Sequence, residues 1–256
     1  MEYKDQKKIC QNCKKDFTIE SEDFSFYEKI KVPPPTWCPS CRFQRRAIFR
    51  NERRLFRNID AHTGENTLSL FPKESGFKIY QDNFWFSDGW DPLEYGQEFD
   101  KSRPFLAQLK ELSQKVPRPR ANVLNMVRSE YSANAADLKN CYLVFNANDS
   151  EDSAYSNGLN FAKYCFDCSH VTKSERCYDS FWLTQCYDTH FTSLCDSCVS
   201  VYFSKNCRGC TSCFGCVNLA NKSYCIFNEQ YSKEEYEKKM KDFNFSSWSK
   251  LENIKK

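Results

Sequence analysis

Two cysteine pairs, Cys10/Cys13 and Cys38/Cys41, carry the most specific chemistry in this 256-residue chain. A two-residue gap closes a tight turn, so both thiolates of a pair aim at one point. Two such pairs supply the four sulfurs of a tetrahedral Zn²⁺ site. With every coordination position filled by protein, such a site is structural rather than catalytic. Its binding free energy organises a segment too short to fold alone. The expected cofactor is one Zn²⁺ on Cys10, Cys13, Cys38 and Cys41, with redox chemistry of the paired thiols as the alternative.

Directly behind the second pair the sequence turns basic. Residues 42–57 hold the arginines Arg42, Arg45, Arg46, Arg50, Arg53, Arg54 and Arg57 against one acid, Glu52. Arg42, Arg46, Arg50, Arg53 and Arg57 recur at helical spacing, which predicts one face of a continuous helix. Ile48 with Leu55 and Phe49 with Phe56 would turn toward the body. Guanidinium forks match phosphate oxygens, and each neutralised phosphate releases counterions. The row therefore predicts a nucleic-acid partner, RNA more than DNA, or a ribonucleoprotein. The competing reading is a solvated face or pairing with the protein's own carboxylates. No module for base-specific reading is visible.

The third constellation is Cys207, Cys210, Cys213 and Cys216, each two residues from the next. The run resembles the cysteine motif of a bacterial ferredoxin, which implies a [4Fe–4S] cluster. It departs from that motif in its third gap and in having Val217 where a proline follows. Three readings stay open: a second metal site, an iron–sulfur cluster, or a ladder of small apolar side chains packed in a narrow core. Asp60 with His62 and Asp88 with Asp91 are the remaining acid–base candidates. They fit a metal-dependent nuclease less well than turn-capping acids and a surface histidine.

The first motif carries a family resemblance. Cys10-x-x-Cys13, Phe17, Glu22, Phe26-Tyr27, a proline run and Cys38-x-x-Cys41-Arg42 resemble the zinc-ribbon, treble-clef-like domain of small bacterial proteins. The resemblance covers about the first fifth of the chain. It implies Zn²⁺ on the four cysteines, with the second pair at a helix start, and brings no activity. The remainder resembles uncharacterised bacterial Cys-rich repeat proteins.

These residues need elements to position them, and the chain reads as four segments. Residues 1–57 form the Cys₄ module. Phe17, Ile19, Phe24 and Phe26 alternate as in a β-hairpin, and Pro39 suits a first helical turn. Residues 58–128 form a mixed connector with a turn at Thr63–Asn66, an aromatic cluster around Trp85 and Trp90, and a helix over 103–116. That helix should start at Ser102 and carry a stripe of Phe105, Leu109, Leu112 and Val116. Residues 129–228 repeat. At an offset near 21 residues Cys165, Cys186 and Cys207 fall in register, although neighbouring cysteines often stand 9 or 12 apart. Short Cys-, aromatic- and Ser-rich stretches between Asn, Asp, Gly and Lys predict a parallel β-helix of about four to five coils. Residues 229–256 should end in a helix capped by Ser232 and Glu235, with Tyr236 and Met240 covering the last coil.

The expected fold class is therefore mostly β with flanking helices: a small treble-clef or zinc-ribbon module plus a Cys-rich β-solenoid. Net charge is +3, but residues 1–57 hold 14 Lys/Arg against 8 Asp/Glu and residues 140–228 hold 6 against 8. An anionic partner should meet the N-terminal third. The polar start MEYKDQKK and the absence of an apolar run near ~20 residues argue for no membrane partner and a reducing cytoplasm, where the 16 cysteines stay free or metal-bound. The function expected is a non-enzymatic zinc protein that binds RNA or a ribonucleoprotein, with the solenoid as rigid scaffold. The alternatives are a protein-interaction scaffold with a partner on the solenoid, a metal or Fe–S redox protein, and a treble-clef nuclease.

Overall fold

The computed structural model describes residues 4–48, 51–243, 247 and 251–252. The chain divides into two compact units, Met1–Asn51 and Glu52–Lys256.

In the first unit, strands β1 (Gln6–Ile9) and β2 (Asp16–Ile19) pair antiparallel around the first cysteine knuckle. Helix α1 (Ser21–Lys29) follows and buries Phe24. Phe24 and Phe26 were expected in a strand. The acids Glu22 and Asp23 instead sit in a helical first turn, where the helix dipole favours them. Helix α2 (Pro39–Ala47) starts on the second knuckle, with Cys38 as N-cap and Pro39 in its first turn.

The continuous helix expected over residues 42–57 does not form. Ile48 is the C-cap of α2, and strand β3 (Phe56–Ile59) takes the end of that span. It pairs antiparallel with β4 (Asn66–Ser69), Arg57 lying opposite Leu68. Leu55 packs against the core of the second unit. Pairing and burial that the local arginine spacing does not encode thus override the helical period. Arg50 and Phe49 lie outside the described residues.

Asp60 closes the β3–β4 turn. It is fully buried and accepts from the backbone N–H of His62 (3.3 Å), Thr63 (3.2 Å) and Gln81 (3.3 Å) and from the Thr63 hydroxyl (2.7 Å). The short parallel pair β5 (Ile79–Tyr80) and β6 (Arg118–Pro119) and the short helix α3 (Asp82–Trp85) complete this region. Helix α4 (Phe105–Lys115) begins after Pro104 rather than at Ser102, whose N–H and hydroxyl both donate to Asp100. Its one buried residue is Gln108, which ties the helix to the loop at Asp100 and Arg103. Phe105 and Leu109 of the expected stripe are exposed.

Residues 121–228 form a β-solenoid, and the whole is a mostly β structure with about nine solenoid turns. Parallel pairing advances by one coil of twelve residues: Asn157 faces Ser169, Ser169 faces Phe181, and Phe181 faces Ser193. The 21-residue period is thereby corrected to 12, and the coil number roughly doubles. Both offsets are multiples of three, and three residues is the length of one side of a coil. From Asn134 to Phe227 every third residue has positive φ and turns a corner. Asn, Asp and Gly, which tolerate that conformation, hold many of these places. Up to Cys216 the residue after each corner points inward. Every third residue from Ser132 to Cys216 is buried, and all are Ser, Cys, Thr, Ala, Val or Leu. An offset of 21 kept the inward phase but moved to a different side of the coil.

Small polar side chains fill this bore because its corners leave inward backbone N–H groups without a ladder partner. The hydroxyl of Ser174 accepts from Cys186 N–H at 3.0 Å, one coil on, and donates to the Thr172 carbonyl at 2.9 Å. Ser129, Ser150, Ser153, Ser156 and Ser204 repeat the first contact. Thiols do the complementary work. Cys186 Sγ lies 3.3 Å from the Thr184 carbonyl and 3.5 Å from that of Cys195. Buried backbone groups must be satisfied, and these inward hydroxyls and thiols satisfy them.

The last coil is covered. Glu229–Gln230 pairs antiparallel with Ser223–Ile226, and helix α5 (Lys233–Met240) follows with the Ser232/Glu235 capping box in place. Tyr236 is buried against Phe214 and Ile226, with Met240 packed beside them.

Candidate metal centre

The first knuckle is built by the β1–β2 turn. Cys10 N–H donates to the Lys15 carbonyl (2.9 Å) and Lys14 N–H to the Cys10 carbonyl (3.0 Å), with Lys14 in the left-handed region. The second knuckle is the first turn of α2, where Arg42 N–H donates to the Cys38 carbonyl at 3.0 Å. A bond from Gln11 N–H to the Thr36 carbonyl (3.0 Å) ties the two knuckles together.

Their four sulfurs converge. Cys10, Cys13, Cys38 and Cys41 place their Sγ atoms within 4.8 Å of one another. Cys13 and Cys38 stand 3.8 Å apart. A tetrahedral ion with bonds of ~2.3 Å needs sulfurs about 3.8 Å apart, so the set fits such an ion. Cys10, Cys38 and Cys41 are buried and Cys13 is exposed. Backbone supports the thiolate at Cys10. Burial opposes ionisation, but the N–H groups of Cys38, Cys13 and Asn12 outweigh it and bring the thiol down to about 6. The Cys38 N–H donates to Cys10 Sγ at 3.2 Å. At Cys41 the Asn12 amide favours the thiolate, yet burial and the three neighbouring sulfurs push it up to about 11. A bound cation would reverse that repulsion. Asn12 is a residue that sequence reasoning missed. Its Nδ2 donates to Cys41 Sγ at 3.4 Å across the site. The available signal was an amide between the two ligands of one knuckle.

The arginines separate into groups. Arg42, Arg45 and Arg46 lie on α2, immediately after Cys41. Arg45 and Arg46 are exposed, and the Arg45 guanidinium sits 5.2 Å from the centre of the Trp37 ring. None of the three makes an ion pair with a carboxylate among the described residues. Arg53, Arg54 and Arg57 belong to the second unit. Arg53 Nη2 is 3.5 Å from Ser169 Oγ, Arg54 stands over Phe56 at 5.0 Å, and Arg57 lies on β3.

Cys207, Cys210, Cys213 and Cys216 occupy four successive sides of one coil, so their spacing is the three-residue side of the solenoid repeated. They do not gather about a point as the N-terminal four do, the one such group among the described residues. Their sulfurs lie 3.4–3.6 Å from the carbonyls two residues back. Within the run burial raises the Cys210 thiol, whereas thiol hydrogen bonds from Cys195 and Cys213 bring Cys207 down to about 7 and Cys216 down to about 6, so it is the geometry that tells against a ligand set. Twelve solenoid cysteines are buried. A native alkylation experiment in chelator should therefore label only the N-terminal four, Cys13 fastest. Mass spectrometry that found a modified solenoid thiol at comparable rate would contradict this packing.

The acid–base candidates do not assemble. Asp60 is spent on backbone N–H groups, His62 stacks on Phe84 at 3.8 Å, and Asp91 caps a 3₁₀ turn through Leu93 N–H (2.8 Å). Trp85 and Trp90 are half-buried and held in place, their indole N–H groups donating to the carbonyls of Pro117 and Trp85. No helix among the described residues is long and apolar enough to cross a membrane. No protein-family model and no curated protein matches the chain, so the zinc-ribbon likeness rests on the four converging cysteines alone.

Proposed function

We propose that this chain is a non-enzymatic zinc protein whose N-terminal unit binds RNA through the arginines of α2, with the solenoid as a rigid scaffold. One observation carries the reading: Arg42, Arg45 and Arg46 follow a metal-site cysteine on a helix whose first turn that site pins, without carboxylate partners among the described residues. Arg42 stands three and four residues before Arg45 and Arg46 and shares a helix face with each; Arg45 and Arg46 are exposed, while Arg42 is half-buried with its Nε covered. An all-thiolate tetrahedral set suits Zn²⁺. Arginine on a fixed helix loses less freedom on meeting phosphate than arginine on a loose chain. Arg45 over Trp37 adds a flat cationic surface on which a base can stack.

The test has two arms. Elemental analysis should find one Zn per chain. Fluorescence anisotropy with a labelled hairpin RNA across a salt series should give a log–log slope that flattens by roughly 2–3 units in the R42A/R45A/R46A variant, one phosphate contact for each arginine lost. Zinc content equal to the parent's would show that the variant keeps its module. An unchanged slope, or no RNA affinity at low salt, would refute the reading.

A further inference from the structure

We propose that a cleft of about 760 Å³ in the second unit binds a nucleoside 5′-monophosphate. The site shares no residue with α2 and does not depend on the RNA reading. The volume falls in the roughly 300–1,000 Å³ range of small-molecule sites. Residues from between positions 57 and 131 make the walls. The β3–β4 hairpin supplies Arg57, Asn66 and Thr67, the ends of β5 and β6 supply Gln81 and Arg120, and the first coil supplies Glu130 and Tyr131.

The two guanidiniums are differently prepared. Arg120 is held from behind. Its Nε stands 3.2 Å from Asp82 Oδ2 and its Nη1 donates to the Leu68 carbonyl at 3.3 Å, while the side chain is only 12% exposed. Asp82 in turn accepts from the N–H groups of Ala121 (3.4 Å) and Val123 (3.2 Å), which locks the pair to the start of the solenoid. Arg120 Nη2 makes no hydrogen bond among the described residues. Arg57 is exposed and has no ion pair among them. One fixed and one exposed guanidinium line the same cleft, and guanidinium geometry favours phosphate or carboxylate.

The cleft also carries an aromatic ring. Tyr131 is 47% exposed and is steadied by Tyr142, whose ring centre lies 5.3 Å away. A half-exposed, supported aromatic ring is a stacking surface for a planar heterocycle. In the same lining, Asn66 and Gln81 offer amides and Glu130 a carboxylate, which serve hydroxyls and exocyclic amines. The Glu130 charge also tells against a polyphosphate. An anionic group for the guanidiniums, a flat ring for Tyr131 and hydroxyls for the amides and Glu130, all in one ligand, describe a nucleoside monophosphate. The same chemistry is met in a free nucleotide and at the phosphorylated end of an RNA strand.

Isothermal titration of the full chain tests this, using the four ribonucleoside 5′-monophosphates, the parent nucleosides, inorganic phosphate and a 5′-phosphorylated oligoribonucleotide. At least one monophosphate should saturate the protein, with its nucleoside and phosphate each binding tenfold or more weakly. Arg57→Ala and Tyr131→Ala should each weaken the monophosphate at least tenfold, and Tyr131→Phe should keep most of the affinity. The R42A/R45A/R46A variant should bind the monophosphate as the parent does, so failure of RNA binding there leaves this site standing. Competition by the oligonucleotide would assign the site to an RNA end, and its absence to the free nucleotide. If no monophosphate saturates, or if Arg57→Ala leaves the affinity unchanged, the proposal is wrong.

Discussion

If Cys10, Cys13, Cys38 and Cys41 hold the proposed zinc, chelation should unfold the N-terminal unit and leave the melting of the solenoid unchanged. The reason is the size of the core. Apart from the three buried cysteines, only Ile19 and Phe24 are buried hydrophobics among that unit's described residues, with Phe17 and Trp37 packed at the edge of the sulfur cluster. Burying two such side chains supplies roughly 3–6 kcal/mol, far less than ordering the unit costs at about 1–2 kcal/mol for each residue. A structural zinc contributes on the order of 10–16 kcal/mol. Metal binding and folding of this unit should therefore be one event. Hydrogen exchange before and after chelation reads it directly: the β1–β2 amides should lose protection while solenoid amides keep theirs. Persistent protection of the hairpin in excess chelator would show that the unit holds itself together without an ion.

The second large effect lies in the bore of the solenoid. Leu183→Ala should destabilise the second unit by about 2–5 kcal/mol. Leu183 is 1% exposed and sits in register between Val171 and Cys195 on the coils before and after, so the vacated space has no route to collapse. Ser174→Ala removes fewer atoms but strands the buried Cys186 N–H, and should cost about 1–3 kcal/mol. Ser174→Cys keeps a polar atom on the column. Denaturant midpoints of the three variants give the ordering, with both alanine variants below the parent and the cysteine variant nearer to it. A Ser174→Ala protein that unfolds at the parent's midpoint would mean that the inward hydroxyls do not carry the backbone.

Local spacing determined a definite part of this protein. Cys-x-x-Cys closes a turn within a few residues, so the convergence of Cys10, Cys13, Cys38 and Cys41 was legible, and Pro39 marked the helix start. The Ser232/Glu235 capping box was legible for the same reason, since cap and partner lie within one turn. The solenoid itself was legible because a side of three residues forces an inward phase that survives any offset divisible by three. That same degeneracy hid the coil length, which only the pairing of Asn157 with Ser169 and its successors decides.

Tertiary structure decided what depends on distant partners. The arginine spacing from 42 to 57 is helical throughout, yet β4 takes Phe56–Ile59 into a hairpin and parts Arg57 from α2. The inward burial of Gln108 leaves Phe105 and Leu109 of α4 exposed. The meeting of Arg57, Arg120 and Tyr131 on one cleft has no trace in the spacing of those residues. A turn is written in the few residues that make it, whereas a strand partner, a buried face or a cleft is fixed by the free energy of contacts between segments that are far apart in the chain.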